Sequence, residues 1–561
     1  MPDRRSGVAA ILALVVAAML TGCVGIPSSG PVSQGVAISG DTGAGNVQYN
    51  PEGPANGAKQ QDILKGFVAA FTSATGGYAV AKQYLSSDFA SKWDPRASVQ
   101  VRGGQARLSQ VDANAMEYSF TATATVDAFG VYTDGSQPTS LRFSFVKQQG
   151  QWRINSAPPG IVLSDQTFQR IFVSSPLYFL DGDNEHLIPD LRWFPVGTAP
   201  ARIVAALLAG PPAWLKGVAF SRFPDGTQLA DAGGSVVVDS GVARIDLSRE
   251  ALGASPRELQ LMQLQLSESL RSVGSISRVS LSIEGTPVQI AEPGSNLPQA
   301  DDQVDPQALV FRDGEFGFYA NGKVASLSAL SSKVVALRPT AATVSSDQTV
   351  AAVLTGSGVS VVRKGVVTQL DQRPGLVAPS LDQKGYVWSA PAADPNAIIA
   401  FDANGAPHPL ASPGFPADSQ LVALEVSRDG ARIAILLSSS TGPRLVVAAI
   451  LRDDKQVPIG LGPAVVDVSF DGDISLDLTW ADQLTVATLV LNDGQANVEL
   501  FTVGGQRTSL GAISPPASSI VGSNSGPDGL RAVGADSAIW TYRGSSWQSS
   551  QVKVNFIATQ R

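Results

Sequence analysis

The chain has 561 residues, with 40 Lys and Arg against 48 Asp and Glu, for a net charge of −8 at neutral pH. An acidic chain with no clustered basic run lacks the electrostatic footprint of a nucleic-acid-binding protein. One cysteine and two histidines rule out a disulfide framework and a Cys/His zinc cluster. Charged residues make up 16% of the chain, below the ~25% of an average globular protein, and 55 glycines suit a β-rich protein with many tight turns. This length accommodates roughly three or four domains.

Residues 1–22 read as a signal peptide. Arg4 and Arg5 give a positive flank, and the apolar run from Val8 to Leu20 follows. That run is too short to cross a bilayer core of ~30 Å at ~1.5 Å per residue, and it has the length of a signal h-region. It ends in Leu20-Thr21-Gly22-Cys23, a lipobox: the small Gly22 allows cleavage before Cys23, whose thiol carries the lipid. A buried structural cysteine behind an uncleaved anchor is the weaker alternative. The expected location is therefore the outer face of the cytoplasmic membrane, with the lipid on Cys23 as anchor, since two or three acyl chains give stable attachment. Residues 23–58 read as the lipidated Cys and a flexible Gly/Pro-rich tether.

Two small α+β domains are expected next, and then an all-β propeller of about six blades. In the first, residues 59–160, Ile63, Leu64, Phe67, Val68 and Phe71 recur at helical spacing. A second short helix is expected around Tyr78 to Leu85, and strands over Glu117–Ala128, Thr139–Lys147 and Gln151–Ile154. In the second, residues 161–295, strands are expected at Leu177–Leu180 and Leu187–Pro195. They precede a helix over Ala199–Leu208, strands at Val218–Phe223, Ser235–Val238 and Val242–Leu247, a helix capped by Ser255-Pro256, and a last strand at Arg278–Ile283. Over residues 300–561, short apolar segments follow Ser-x-Asp turns at Ser345, Ser380, Ser427 and Ser469. The spacing of about 40–45 residues is that of propeller blades.

Motifs that resemble sites fail on their chemistry. Gly317 to Lys323 has phosphate-loop spacing, but Val324 stands where a magnesium-binding hydroxyl belongs, and Asn321-Gly322 suits a type I′ hairpin turn. Asp181 to Glu185 begins like a calcium loop, yet His186 and Arg192 occupy the positions that need Gly and Glu. Asp471, Asp473 and Asp477 read as solvated turn carboxylates. No nucleophile elbow is present, and His186 and His408 fall in turn contexts. The chain is read as a non-enzyme without cofactor or metal, and with no assigned ligand-binding residues.

The lipobox, the Ile26-Pro27-Ser28-Ser29-Gly30-Pro31-Val32 start of the tether and the order of three folded parts resemble the actinobacterial LpqB lipoproteins. Tyr178-Phe179-Leu180-Asp181, Leu187-Ile188-Pro189, Arg192 and the Ala201–Leu208 helix ending in Ala209-Gly210-Pro211 resemble the GerMN module. The likeness spans nearly all of the mature chain. It implies a partner rather than a reaction: the extracellular domain of a sensor histidine kinase, MtrB-like, whose response regulator is MtrA, with effects on cell-wall homeostasis and division. The alternative is a non-catalytic module for peptidoglycan or another wall polymer. For that reading, exposed Trp388, Trp480, Trp540 or Trp547 side by side would be the marker, because aromatic faces stack on sugars.

Overall fold

The computed structural model describes residues 51–561, apart from 232–233, 292–296, 299, 301–303 and 412. The expected signal peptide, the lipobox Leu20, Thr21 and Gly22, and Cys23 lie outside the described residues.

Helix α1 (Gln60–Ala69) turns Ile63, Leu64 and Phe67 inward, as their spacing requires. Phe67 and Phe71 meet Trp93 with ring centroids 5.1 and 5.8 Å apart. Helices α2 (Thr75–Lys82) and α3 (Ser87–Ala90) follow. Gly76, Gly77 and Tyr78 open α2 in the left-handed region, with φ of 59, 66 and 64°. The sheet is a meander of β1 (Ser98–Asp112), β2 (Ala115–Asp127), β3 (Tyr132–Gln148) and β4 (Gln151–Ser156), each antiparallel to its neighbour.

Two boundaries differ from expectation. The first domain does not stop at 160: β5 (Ile161–Ser164) pairs in parallel with β1, and α4 (Asp165–Ile171) packs below it. Ile161, Val162, Leu163 and Phe168 are part of this first core. Pro158-Pro159 resembles a linker but is a crossover that returns the chain to the far edge of its own sheet. The tether also ends earlier than 58. The Tyr84 hydroxyl donates to Glu52 O at 2.8 Å, and Gly57 N donates to Gln151 Oε1 at 2.7 Å, which fixes these residues to the domain.

In the second domain β6 (Phe172–Leu180) and β7 (Leu187–Pro195) form a hairpin. Helix α5 (Ala199–Leu208) buries Ile203, Val204 and Leu207. A four-stranded sheet contains β8 (Val237–Asp239), β9 (Val242–Leu247), β10 (Arg278–Ile283) and β11 (Thr286–Pro287). Strands β9 and β10 run parallel, joined through α6 (Pro256–Leu270). Ser255 and Glu258 form a reciprocal capping box at the start of α6. The expected strand at 218–223 is instead an irregular segment between Gly217 and Pro224, with two isolated bridges, Phe220 to Leu180 and Ala219 to Lys216.

Six four- or five-stranded sheets follow, making a six-bladed propeller among the described residues. Blade 1 takes three strands from Ala308–Ser326 and its innermost strand from Phe556–Ile557. Blade 2 (341–371) gains Thr559–Gln560 as a parallel addition to its inner strand. Blades 3 to 6 are the sheets over 380–409, 420–469, 474–513 and 517–553. Closure by the last strands removes the open edges that an incomplete ring would expose.

The expected Ser-x-Asp turns occur at two of the four places. Ser345 and Ser427 each form the first hairpin of their blade, their hydroxyls bonded to Asp347 and Asp429. In blade 3 Asp382 supplies the turn while Ser380 lies in the strand. Ser469 ends a strand of blade 4, and the corresponding turn of blade 5 is at Asp482, which accepts from Leu484 N and Thr485 N at 2.8 Å.

Candidate functional site

The functional geometry centres on β7, where all three domains meet. Within its apolar run, Asp190 and Arg192 stand two residues apart and so project from the same face. They form an ion pair in which both side chains are almost wholly buried. Burial pushes the Asp190 carboxyl upward, and the Arg192 guanidinium and a hydrogen bond from Trp214 oppose that shift. Arg192 Nη1 also donates to Phe129 O of the first domain at 2.9 Å.

Trp193, on the other face of β7, joins the remaining two parts. Its ring lies 5.5 Å from Tyr132 and 5.0 Å from Phe168. Its backbone N donates to Gly130 O at 2.8 Å, and its indole Nε1 to Gly504 O of blade 5 at 2.9 Å. Both glycines are needed for the close approach. A Cβ on Gly130 would lie 2.7 Å from the Phe194 ring, and one on Gly504 would lie 2.8 Å from Leu191 O. Both also have φ near 80° (84° and 76°), which disfavours any side chain.

Further contacts lock the second domain to the propeller. Ala431 and Ala449 of blade 4 belong to the core of the second domain, and Trp214 packs against that core and against the core shared by blades 4 and 5. Gln483 Nε2 donates to the Tyr178 hydroxyl at 2.8 Å. Lys384 reaches Asp183 at 2.6 Å and Asp181 at 3.5 Å. The first domain touches the propeller directly, where Gln506 Nε2 donates to Asp165 Oδ1 at 3.4 Å. The described residues from 51 onward therefore fall in one compact unit.

Inner strands of neighbouring blades touch, and buried or half-buried polar groups link them. Glu425 accepts from Trp480 N at 2.6 Å and pairs with Arg561. Arg428 donates to Gly522 O at 2.7 Å. Asp477 accepts from Leu478 N and Ile520 N, both at 2.9 Å. Burial, reinforced by the Glu425 charge, pushes its carboxyl up to about 7.

The motif residues disperse. Asn321 and Gly322 make the expected two-residue turn, with φ of 51 and 81°, in a hairpin of blade 1. Asp181 Oδ1 accepts from Glu185 N and His186 N, which closes a turn. Asp473 accepts from Asp493 N, and Asp477 bonds to Ile520 N of the next blade. His186 belongs to the second domain. His408 belongs to blade 3, 3.6 Å from Asp402 and edge-on to Tyr386. Trp388 and Trp480 are fully buried, their indoles bonded to Asp382 and to Glu425 O. Trp540 and Trp547 are half-buried against the core between blades 5 and 6. Two of the four tryptophans are thus core residues and unavailable for sugar stacking.

Sequence reading missed β1, because after Val99 and Val101 the strand is mostly polar and interrupted by Gly103-Gly104. It also missed the central role of β7. The available signal was Asp190 and Arg192 at i and i+2 in an otherwise apolar strand, a pattern that suits a buried pair.

Fold and site together define a multidomain β-propeller protein whose ring is preceded by two α+β modules and welded to them. Three family profiles fall on it in the same order: "Lipoprotein LpqB, N-terminal domain" on residues 53–169, "Sporulation and spore germination" on 176–289, and "Lipoprotein LpqB beta-propeller domain" on 319–555. The chain belongs to the LpqB lipoprotein family. It is 32% identical to Lipoprotein LpqB of Cutibacterium acnes over 52% of this chain and 48% of that protein, so this match spans about half of the relative's length. It is 25% identical to Lipoprotein LpqB of Thermobifida fusca over 90% of this chain and 91% of that one. It is 29% identical to the Streptomyces coelicolor protein over 78% of each. None of the three profiles names an enzyme. Among the described residues no helix is long and apolar enough to cross a membrane.

Proposed function

We propose that this chain is a lipoprotein anchored through Cys23 to the outer face of the cytoplasmic membrane. There its folded body binds the extracellular domain of an MtrB-like sensor histidine kinase and biases phosphorylation of the response regulator, with consequences for cell-wall homeostasis and division. The observation that carries this reading is the locking of three domains around Arg192 and Trp193. A rigid body presents a preorganised surface, so little ordering cost is subtracted from the binding energy. A lipid anchor confines that surface to the membrane plane and raises its effective concentration near a membrane partner. A contact that favours one kinase state by ~1–3 kcal/mol shifts activity about 5–150-fold, and no chemistry by the lipoprotein is needed.

The test is calorimetric titration of residues 51–561 into the kinase extracellular domain. Saturable binding is expected. Its absence at high micromolar concentration sinks the reading and redirects attention to wall polymers. In cells, Cys23→Ala is expected to release the protein from membranes and to abolish signalling while the soluble part stays folded.

A further inference from the structure

We propose that the cleft between the first domain and the GerMN module is a binding site for an organic phosphate, an oxyanion carried on an apolar or ring-bearing body. The cleft has a volume of about 470 Å³, within the range of small-molecule sites. Its walls are apolar and aromatic: Tyr78, Trp93, Val126, Phe172 and Trp193. Such a surface takes up a ring or an acyl segment.

The charges are arranged for an anion. Lys82, Lys92, Arg96 and Arg202 line the cleft against only two carboxylates, Asp94 and Asp127, on a chain whose net charge is −8. Both carboxylates are engaged in turns. Asp94 Oδ1 accepts from Arg96 N at 2.9 Å, and Asp127 Oδ1 accepts from Phe129 N and Val131 N at 2.8 and 2.9 Å. The side chains of Lys82, Lys92 and Arg96 have no ion-pair or hydrogen-bond partner among the described residues.

Arg202 comes from α5 of the GerMN module and is held across the cleft by the first domain. It donates to Ala128 O at 2.5 Å and lies over the Phe194 ring at 5.8 Å. Burial lowers its proton affinity first and the like charge of Arg96 lowers it further. Asp94 and Asp127 offset part of that repulsion, but four cations still line the cleft against two carboxylates, and the planar forks of the two arginines match a phosphate. Burial pushes the Tyr78 hydroxyl up to about 12, so it stays neutral and can donate. The left-handed Gly76-Gly77-Tyr78 turn places that ring in the wall.

Two sources share this chemistry, a soluble sugar phosphate and an anionic lipid headgroup. The experiment uses the unacylated chain from Val24 onward at low salt, reading the fluorescence of Trp93 and Trp193. The probes are inorganic phosphate, glucose 1-phosphate, dihexanoylphosphatidylglycerol and, as the uncharged control, glucose. The expected result is saturable binding of the organic phosphates with Kd at or below about 1 mM, weaker binding of inorganic phosphate and none of glucose. Arg96→Glu is expected to weaken binding at least about tenfold, and Lys92→Glu to weaken it less, with melting temperatures unchanged because both side chains are exposed. Tighter binding of glucose 1-phosphate identifies a soluble source, and tighter binding of the lipid a headgroup. Absence of binding by every phosphate probe, or binding that neither substitution alters, overturns the proposal.

Discussion

The Asp190–Arg192 pair shows how one buried charge constrains everything around it. Its partners are Trp214 and a carbonyl of the neighbouring domain, and both charges are out of water. Removing one member leaves the other buried and unpaired. Arg192→Ala is therefore expected to cost about 3–5 kcal/mol, measured by urea unfolding, whereas Asp190→Leu with Arg192→Met costs far less. An additive result would show that the pair carries no coupling. Asp477 gives a second prediction at this scale. Its carboxyl is raised from 3.8 to about 7, so between those values the folded state holds a proton that the unfolded state has lost. Stability from this group is full below about 4 and falls as pH rises through the window to about 7. The slope of stability against pH in that window is expected to flatten in Asp477→Asn, whatever the absolute cost of altering its two backbone bonds. An unchanged slope would exclude Asp477 as its source.

At the scale of elements, the helices and hairpins were legible where periodicity and caps agree. The α1 face, the Ser255–Glu258 box and the Asn321-Gly322 turn each satisfy a local rule that no distant residue can override. What was not legible depends on return of the chain. Strand β5 reads as the start of a new domain because its parallel partner β1 lies about sixty residues back. The inner strand of blade 1 is supplied from Phe556–Ile557, a segment too short to carry a pattern. Its energetic role follows from topology. Without residues 556–561, the Ala308–Arg312 strand loses its inner neighbour and Glu425 loses Arg561. Truncation after Asn555 is expected to increase amide exchange in Ala308–Arg312 and Ala341–Val344 well before blades 3 to 5 respond. Uniform loss of protection would indicate that the ring unfolds as one unit.

For the whole molecule, composition and turn spacing indicated separate modules on a tether, while the structure joins them through β7. No rule of local sequence reports that welding, because the groups that meet are far apart in the chain: Gly130, Trp193 and Gly504 come from three domains. The consequence can be tested through the two glycines. A Cβ at either position collides with β7 or its neighbour and faces a left-handed backbone as well, yet neither residue contributes to the core of its own domain. Gly130→Val is thus expected to detach the first domain from the GerMN module, and Gly504→Val to loosen the GerMN module from blade 5, leaving each domain folded. Calorimetric melting of the parent chain should show one cooperative transition, because the shared cores make separate unfolding costly. The variants should show two, the lower one moving with the domain that has been freed. If the parent already melts in separate steps, the domains are coupled too weakly for a contact on one to orient the others. The rigid presentation proposed for kinase binding would then fail with it.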